Sequence, residues 1–372
     1  MSSPSLRNLL LKAAGLFLAA NLLLAATDPL PALGRLSLYN SVFPGRLRLP
    51  FGETPEAAYN FSLYQLDAMF ASHEAAAPKP ADEYRVILIG DSSVWGTLLT
   101  PEETLAGQIN ALQITTADSK RIRIYNLGYP TMSLMKDLLI LDRATQYQPD
   151  LIVWLMTLES FPYKKQLDSP IVQNNPEVVR SLISKYHLSF SPSDPAVVEP
   201  SFWDRTLIGR RRALADVFRL QLYGVMWAAT GIDQFYPETY ELRANDLTAD
   251  ETFHDLKPPR FADGDLAFEV LEAGVEAAGG ALILFVNEPI FMADGANSNV
   301  RYNFFYPRWA YDEYRSLWNE AMSRSRWAYV DLWNLVAPAE FTNSAVHLSA
   351  AGSAQLAEAV AAEIERMAKG SR

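Results

Sequence analysis

Five short and mainly apolar runs are spread along the chain. Continuous apolar runs of this length are typical of strands that are buried on both faces of a sheet. The runs are residues 86–89, 122–125, 151–156, 281–286 and 327–332. Apolar residues at helical spacing lie between them, at residues 101–113, 134–146, 266–278 and 309–323, and again in a final helix after Ser349. This alternation predicts an α/β fold in which helices cover both faces of a five-stranded parallel sheet.

The N-terminus carries a longer apolar run. Residues 13–27 are uncharged and apolar, and Arg7 and Lys12 precede them. A buried core helix would leave the basic flank unexplained, and the large side chain of Leu24 fits a signal-peptidase site poorly. We therefore expect residues 1–27 to be an uncleaved signal anchor, a single transmembrane helix. Positive residues before the span predict a cytoplasmic N-terminus and a main domain on the outer side of the cell membrane.

Two further segments interrupt the pattern. Residues 28–82 are rich in proline and predict a lead-in stalk, in which residues 57–73 have the spacing of one helix. The main domain then covers residues 83–368. The gap between the third and fourth strands is too long for a simple crossover and predicts an inserted cap at residues 160–260. Its Arg210–Arg212 run is either a solvated helix end or a surface that meets anionic lipid or polymer near the membrane.

Composition excludes several classes of function. The chain has 372 residues, of which 49% are hydrophobic, so most of it should fold. A net charge of −11 argues against a nucleic-acid partner. The absence of cysteine excludes disulfides, thiolate zinc sites and cysteine nucleophiles. The four histidines show no metal-ligand spacing, and neither a metal nor an organic cofactor is expected.

The candidate chemistry lies in two loops. Ser92 follows the first strand through Gly90, in a tight strand-to-helix turn that would expose its hydroxyl. His347 lies between the last strand and the final helix, which places it at the same edge of the sheet. The pair predicts a serine nucleophile and a general base. The alternative is a serine that caps a tight turn and a histidine that is merely hydrogen-bonded.

These residues resemble the SGNH, or GDSL-type, hydrolase superfamily. Gly90, Asp91 and Ser92 match its first block, and Gly128 in the loop after the second strand matches its second block. His347, followed by Leu348 and Gly352, matches its last block. The resemblance implies a three-layer, flavodoxin-like fold and an esterase with Ser92 as nucleophile and His347 as base. It also implies that the N–H groups of Ser92 and Gly128 bind the oxyanion.

Two positions depart from the family pattern. The third block normally reads Gly-x-Asn-Asp and supplies an oxyanion donor, but here residues 157–160 read Thr-Leu-Glu-Ser. A carboxylate at Glu159 would oppose a developing oxyanion. Thr157 and Asn287 are candidates for the missing donor.

The last block normally has an aspartate three residues before the histidine, and here that residue is Ser344. Asn343 stands beside it. Asp331, at the end of the fifth strand, is one candidate for the missing carboxylate. The other possibility is a Ser–His dyad whose imidazole is oriented by a carbonyl or hydroxyl group. Asp91 is a further supporting candidate.

The N-terminal anchor and the insertion are similar to the membrane-anchored branch of the superfamily. That branch includes the D-alanine transfer protein of teichoic acid synthesis and O-acetyltransferases of exopolysaccharides such as alginate, which often act beside a membrane-bound O-acyltransferase. The expected function is a serine esterase or O-acyltransferase for acylated carbohydrate or lipid outside the membrane. The alternative is a degenerate, non-catalytic domain that binds envelope polysaccharide or scaffolds an acyl-transfer complex. A third interpretation is a lipid-directed esterase with residues 202–223 as an interfacial lid.

Residues 301–315 combine seven aromatic side chains with three arginines. Half of this pattern fits the start of an amphipathic helix that packs on the sheet. Aromatic rings beside arginines also suit a groove for a sugar or an acyl chain.

Overall fold

The sheet confirms the predicted architecture. The computed structural model describes residues 5–42, 45–51, 65–230 and 239–370. All strand pairs are parallel, and the strand order is β2-β1-β3-β4-β5, the flavodoxin-like order. The strands are β1 Glu83–Ile89, β2 Arg121–Asn126, β3 Leu151–Met156, β4 Leu282–Asn287 and β5 Ala328–Asp331. Each lies within two or three residues of the run that predicts it.

Helices lie on both faces of the sheet and complete three layers. Alternate residues of the strands pack into two separate apolar cores, one on each face. The helices of the domain are α5 Ser92–Trp95, α6 Leu105–Ala111, α7 Leu134–Ala144, α8 Pro170–Gln173, α9 Pro176–Lys185, α10 Arg211–Thr230, α11 Glu269–Ala277, α12 Arg308–Ser325 and α13 Ala350–Gly370. Of these, α7, α11 and α12 cover one face of the sheet, and α6 and α13 cover the other.

The strand register brings the loops of the candidate site to one edge. Ile89 at the end of β1 pairs with Trp154 of β3, and Met156 at the end of β3 pairs with Asn287 of β4. Asn287 in turn pairs with Asp331 at the end of β5. The loops that follow these strands therefore leave the sheet at the same edge, where open α/β sheets bind their ligands.

The helix predicted to start at Pro101 begins four residues later. Glu103 does reach back to the N–H of Thr100, at 3.0 Å, as the sequence pattern predicts. This contact closes a separate turn, and the helix begins at Leu105 with Thr104 as its cap. The turn packs closely against the start of α6, since a Cβ atom on Gly107 would be 2.2 Å from the carbonyl oxygen of Pro101.

The N-terminal segment forms one long helix and three short helices before the sheet. They are α1 Leu6–Thr27, α2 Leu30–Gly34, α3 Leu38–Val42 and α4 Leu66–Ala71. Helix α1 is long and apolar enough to cross a membrane, with a mean hydropathy of 2.0 and 11% of its most apolar window buried. Of the helix predicted over residues 57–73, the part at 57–64 lies outside the described residues. Leu49 of the lead-in segment is buried in the main core.

One helix of the insertion, α10, is only partly covered. Leu214, Val217, Phe218 and Leu222 lie along it at helical spacing. In the structure Val217 is buried, whereas the side chains of Phe218 and Leu222 are each 70% exposed. The contacts of α10 are with the short helices α2 and α3, so only one narrow side of α10 is covered.

The aromatic cluster at residues 301–315 belongs to the core. Tyr306, Tyr311 and Tyr314 are fully buried on the face of the sheet that α12 covers. Arg301 is also buried, and its guanidinium donates to backbone carbonyl groups of its own loop and of residues 250–252. These rings therefore pack as an amphipathic helix start rather than as a groove.

Candidate active site

Ser92 lies at the start of a one-turn helix directly behind the first strand. Gly90 makes the tight turn possible, because a Cβ atom there would be 2.5 Å from Val94 Cγ2. Asp91 caps α5, and its Oδ1 accepts the N–H of Ser93 at 2.7 Å. Ser92 is half-buried at the first helical position, so its hydroxyl is held at the surface of the turn.

His347 meets Ser92 across the edge of the sheet. Its loop is held by an isolated antiparallel bridge between Phe341 and Leu348 and by the hydrogen bond from Thr342 N–H to the carbonyl of His347, 2.9 Å. The Nε2 atom of His347 lies 2.7 Å from Ser92 Oγ. This is the contact that a serine nucleophile and its general base require.

The other ring nitrogen of His347 has a neutral partner. Nδ1 lies 2.8 Å from Oδ1 of Asn343, one of the supporting candidates. When Nδ1–H donates to this amide oxygen, Nε2 is left to accept the proton of Ser92. Burial lowers the pKa of His347 below its usual value, and the negative charge of Asp91 opposes this effect. The imidazole is therefore neutral near pH 7.

A second carboxyl group lies behind the nucleophile turn. Ser93 donates its hydroxyl to Glu288 Oε2, while its N–H is bound by Asp91. Both carboxyl groups are buried, with 1% of Glu288 and 3% of Asp91 exposed. Burial and then the charge of Asp91 raise the pKa of Glu288 well above its usual value. Burial and the neighbouring carboxyl group therefore favour the protonated form of Glu288.

Lys136 connects the two loops that carry Ser92 and Gly128. Its fully buried Nζ donates to the carbonyl of Gly90 at 2.7 Å and to that of Tyr129 at 3.1 Å. It also pairs with Asp137 at 2.5 Å. Burial raises the pKa of Asp137 to about 6 although the charge of Lys136 lowers it. This lysine fixes the nucleophile turn relative to the loop after β2.

Neither Glu288 nor Lys136 is singled out by the sequence pattern. Glu288 directly follows the named candidate Asn287 at the carboxyl end of β4, and this position is its only signal. Lys136 lies in the first turn of an amphipathic helix, where a lysine is ordinarily solvated. Its burial depends on the loops above it, which are distant in sequence.

Gly128 lies against the nucleophile helix. A Cβ atom on Gly128 would be 2.4 Å from the backbone nitrogen of Trp95, so only glycine allows this approach. Its N–H donates to Asn126 Oδ1 at 3.0 Å. The predicted oxyanion donor is thus next to the Ser92 turn, and in this structure it is engaged within its own loop.

Three supporting candidates form a separate cluster. Asn287 donates its Nδ2–H to Asp331 at 2.8 Å, and Asp331 pairs with Arg315 at 2.6 Å. Thr157 is fully buried and faces the hydroxyl groups of two tyrosines of α12 and its lead-in. Among the described residues, none of the three forms a hydrogen bond with Ser92 or His347. The same is true of Ser344.

Glu159, the residue at the altered third block, has two side-chain partners. It forms an ion pair with Lys165, and His254 Nε2 lies 3.0 Å from Glu159 Oε2. Burial raises the pKa of Glu159, but the hydrogen bond from His254 and the charge of Lys165 outweigh it, and the pKa is lowered. The carboxylate is therefore charged and directed to the insertion, which supplies His254.

The described residues contain no group of three or more His, Asp or Glu side chains that could hold a metal ion. The arrangement can deprotonate a serine hydroxyl with a neutral imidazole and return the proton to a leaving group.

Comparisons with known proteins give structural neighbours of the GDSL type. The carbohydrate acetylesterase Est24 of Sinorhizobium meliloti aligns at 13% identity and a TM-score of 0.36, over 76% of this chain and 99% of that chain. The aryl esterase of M. smegmatis aligns at 12% and 0.35, over 76% and 98%. A lipase/acylhydrolase from Enterococcus faecalis aligns at 14% and 0.39, over 76% and 96%.

No family model matches the sequence, and no curated protein matches it at a significant level. Identities this low carry no information about substrate. The fold assignment rests on the strand order and the two-sided helix layers of the chain itself.

Proposed function

We propose that the chain is a membrane-anchored serine esterase or O-acyltransferase that acts through an acyl-enzyme on Ser92. The observation that carries this proposal is the 2.7 Å contact between Ser92 Oγ and His347 Nε2, with Nδ1 of the same ring 2.8 Å from Asn343 Oδ1. A neutral imidazole held in this orientation is what a general base for a serine hydroxyl needs.

The proposed reaction has two halves. Ser92 Oγ attacks the acyl carbonyl carbon while its proton passes to His347 Nε2, and the oxyanion forms. The intermediate collapses, the C–O bond to the alcohol breaks, and Nε2–H protonates the leaving oxygen. Water or a carbohydrate hydroxyl then loses a proton to Nε2 and attacks the acyl-enzyme. The bond between the acyl carbon and Ser92 Oγ breaks, Nε2–H returns its proton to Oγ, and the carboxylic acid or the new ester leaves.

The oxyanion would be stabilised by backbone donors. The N–H groups of Ser92 and Gly128 are the candidates, and Gly128 would have to exchange its bond to Asn126 for a bond to the oxyanion. The altered third block does not oppose this step by charge, because Glu159 is paired with Lys165 and His254.

The proposed substrate is an acylated carbohydrate or lipid outside the membrane. The length and apolar composition of α1 support an anchor, and Arg7 before the apolar run supports a cytoplasmic N-terminus. In the transfer reaction, a membrane-bound O-acyltransferase would provide acyl groups, as in the proteins that the sequence resembles. Hydrolysis and transfer share every step up to the acyl-enzyme.

Covalent labelling tests the proposed nucleophile. The full chain in detergent is treated with a fluorophosphonate probe, which reacts with activated serines, and is then assayed with a short-chain aryl ester. Labelling and hydrolysis should be lost in Ser92→Ala and in His347→Ala. The matched controls are Ser184→Ala and His187→Asn, two exposed positions that should leave both readouts unchanged.

The engaged N–H of Gly128 favours one second candidate. A domain whose oxyanion donor stays bound to Asn126 would bind envelope polysaccharide or scaffold an acyl-transfer complex without catalysis. A folded chain that takes up no probe, with or without an acceptor sugar, would support this second function and contradict the first.

A further inference from the structure

The apolar helix α1 is joined to the insertion near its C-terminal end. Oδ1 of Asn21, a 7% exposed residue, accepts the N–H of Ile208 at 3.3 Å. Asp28, the residue after the helix, pairs with Arg210 at 3.6 Å. A backbone group of the insertion therefore lies at the level of Asn21, and a charged pair lies at the end of the helix.

These two contacts define the height of the insertion relative to a membrane. Asn21 lies six residues before the last residue of α1, which corresponds to about 9 Å along the helix axis. The uncharged run starts only at residue 13, so a helix that crosses the apolar layer needs all of it up to Thr27. The turn around Ile208 therefore reaches about 9 Å below the end of the span.

Apolar side chains are exposed on this turn and on the helix that follows it. Trp203 is 75% exposed and Ile208 is 54% exposed, and the ring of Phe202 packs on that of Trp203. Phe218 and Leu222, one helical turn apart on α10, add two side chains that are each 70% exposed. On the opposite side of α10, Val217 and Leu220 are buried against Leu30. We call the five exposed residues the 202–222 apolar surface: Phe202, Trp203, Ile208, Phe218 and Leu222.

The backbone of the turn satisfies its own polar groups. The N–H groups of Thr206 and Arg210 donate to the carbonyls of Trp203 and Thr206, and the hydroxyl of Thr206 accepts the N–H of Gly209. The same turn also exposes the acidic side chain of Asp204. A turn that is internally bonded, bears an exposed tryptophan and also carries a carboxylate suits the headgroup region rather than the hydrocarbon centre.

We propose that the 202–222 apolar surface is immersed in the outer interface of the same bilayer that α1 spans. The occupant is lipid, because the turn that bears Trp203 and Ile208 is joined through Asn21 to the apolar part of α1, six residues before that helix ends. Arg211, exposed at the start of α10, adds a positive charge that favours anionic headgroups. The inference rests on the proposed membrane anchor and adds a second contact with the membrane.

The absence of native cysteine allows a direct depth measurement. Single cysteines replace Trp203, Phe218 or the control residue Ala362, which is exposed on α13 at the opposite face of the sheet. A fourth variant, Leu16→Cys, reports on α1. The cysteine of each full-length chain is labelled with a nitroxide, and the chain is reconstituted into phosphatidylcholine–phosphatidylglycerol vesicles. The rates at which the nitroxide collides with oxygen and with a water-soluble nickel complex are then measured.

Labels at 203 and 218 should collide with the nickel complex on the order of tenfold less often than the label at 362, since a polar complex is excluded from the apolar layer. Their oxygen collisions should rise. If the labels at 203 and 218 collide with the nickel complex as often as the label at 362, while the label at 16 is protected, the immersed surface is disproved and the anchor stands. A surface that a protein partner covers would give this result. If 16 also matches 362, the anchor itself fails and the inference fails with it.

Discussion

At the residue scale, the imidazole of the candidate site is supported by two partners with separate roles. Asn343 accepts the Nδ1–H and so fixes the tautomer of His347, but an amide brings no charge. The negative charge near the ring comes from Asp91, which raises the pKa of His347 against the effect of burial. Orientation and charge, which one aspartate provides in a Ser-His-Asp triad, are here divided between two residues.

This division predicts a specific pH profile. His347 must be neutral to take the serine proton, and its pKa is lowered by burial, so kcat/KM for an aryl ester should rise along an acid limb centred below pH 6.5 and then level off. Asp91→Asn keeps a good helix cap but removes the charge that raises the pKa. Its acid limb should therefore move to lower pH. A rate that falls equally at all pH values, with the limb unmoved, would contradict this role of Asp91.

Asn343 can be tested in both directions. Asn343→Ala removes the acceptor of Nδ1–H but leaves the base, so kcat should fall by about 10- to 100-fold, less than the roughly 10²- to 10⁴-fold that general acid–base catalysis contributes as a whole. Asn343→Asp keeps the acceptor and adds a charge, which raises the pKa of His347 and should move the acid limb to higher pH. Steady-state kinetics across the pH range measures both effects. An Asn343→Asp limb that stays in place would show that residue 343 does not contact the ring in solution.

At the scale of elements, one buried cation holds the two site loops together. Lys136 of α7 binds the carbonyls of Gly90 and Tyr129, which belong to the loops after β1 and β2. The loops also contact each other directly, through the hydrogen bond from Tyr129 N–H to the carbonyl of Gly90, 3.0 Å, and through the approach of Gly128 to Trp95. Lys136 adds a buried cation from a third element to these direct contacts.

Lys136→Met should lower the free energy of unfolding by about 3–5 kcal/mol, because it leaves the buried carboxyl group of Asp137 without its cation, with only the Trp154 indole as a donor. Urea denaturation of the full chain in detergent measures the change. Lys136→Met combined with Asp137→Leu removes both members of the pair and should regain more than half of the loss. A single variant within about 1 kcal/mol of the wild type would mean that water reaches this pair.

The elements also mark how far sequence could predict this protein. The strands were most predictable where they are buried on both faces, as in β3, which is uniformly apolar and buried along its whole length. The pairing of Ser92 with His347 followed from the rule that strand ends share one edge. The exposed Phe218, the start of α6 and the separate Asn287–Asp331 cluster were not predictable, since each depends on contacts between segments distant in sequence.

At the scale of the whole molecule, the chain has an apolar N-terminal helix and, at one edge of its sheet, the candidate active site. Helix α1 is mostly exposed, while the domain buries its apolar residues in two cores on either side of the sheet. A helix with this exposure is suited to lipid rather than to the interior of a soluble domain. The basic residues Arg7 and Lys12 both lie before the apolar run.

These charges predict the orientation of the molecule in the cell. Basic residues are retained on the cytoplasmic side, so a tag at the N-terminus should be protected from protease added to spheroplasts, and a tag at the C-terminus should be removed. Lysed spheroplasts are the control, in which both tags should be removed. Reversing the charge balance with Arg7→Glu and Lys12→Glu should reduce the protected fraction of the N-terminal tag. Protection of the C-terminal tag in intact spheroplasts would contradict the orientation.

The joint between α1 and the insertion has a consequence for how substrates are met. A disordered tether as long as residues 28–82 would have an end-to-end distance of roughly 40 Å. Here Leu30 packs with Val217, and Leu49 lies in the main core, so the chain after α1 is attached to the domain at both of these points. With α1 in a bilayer, Ser92 would stay at a nearly constant distance from the membrane surface. An ester in the same membrane would then reach Ser92 by lateral diffusion in two dimensions. An ester on a polymer would react only where the polymer brings it to that distance from the membrane.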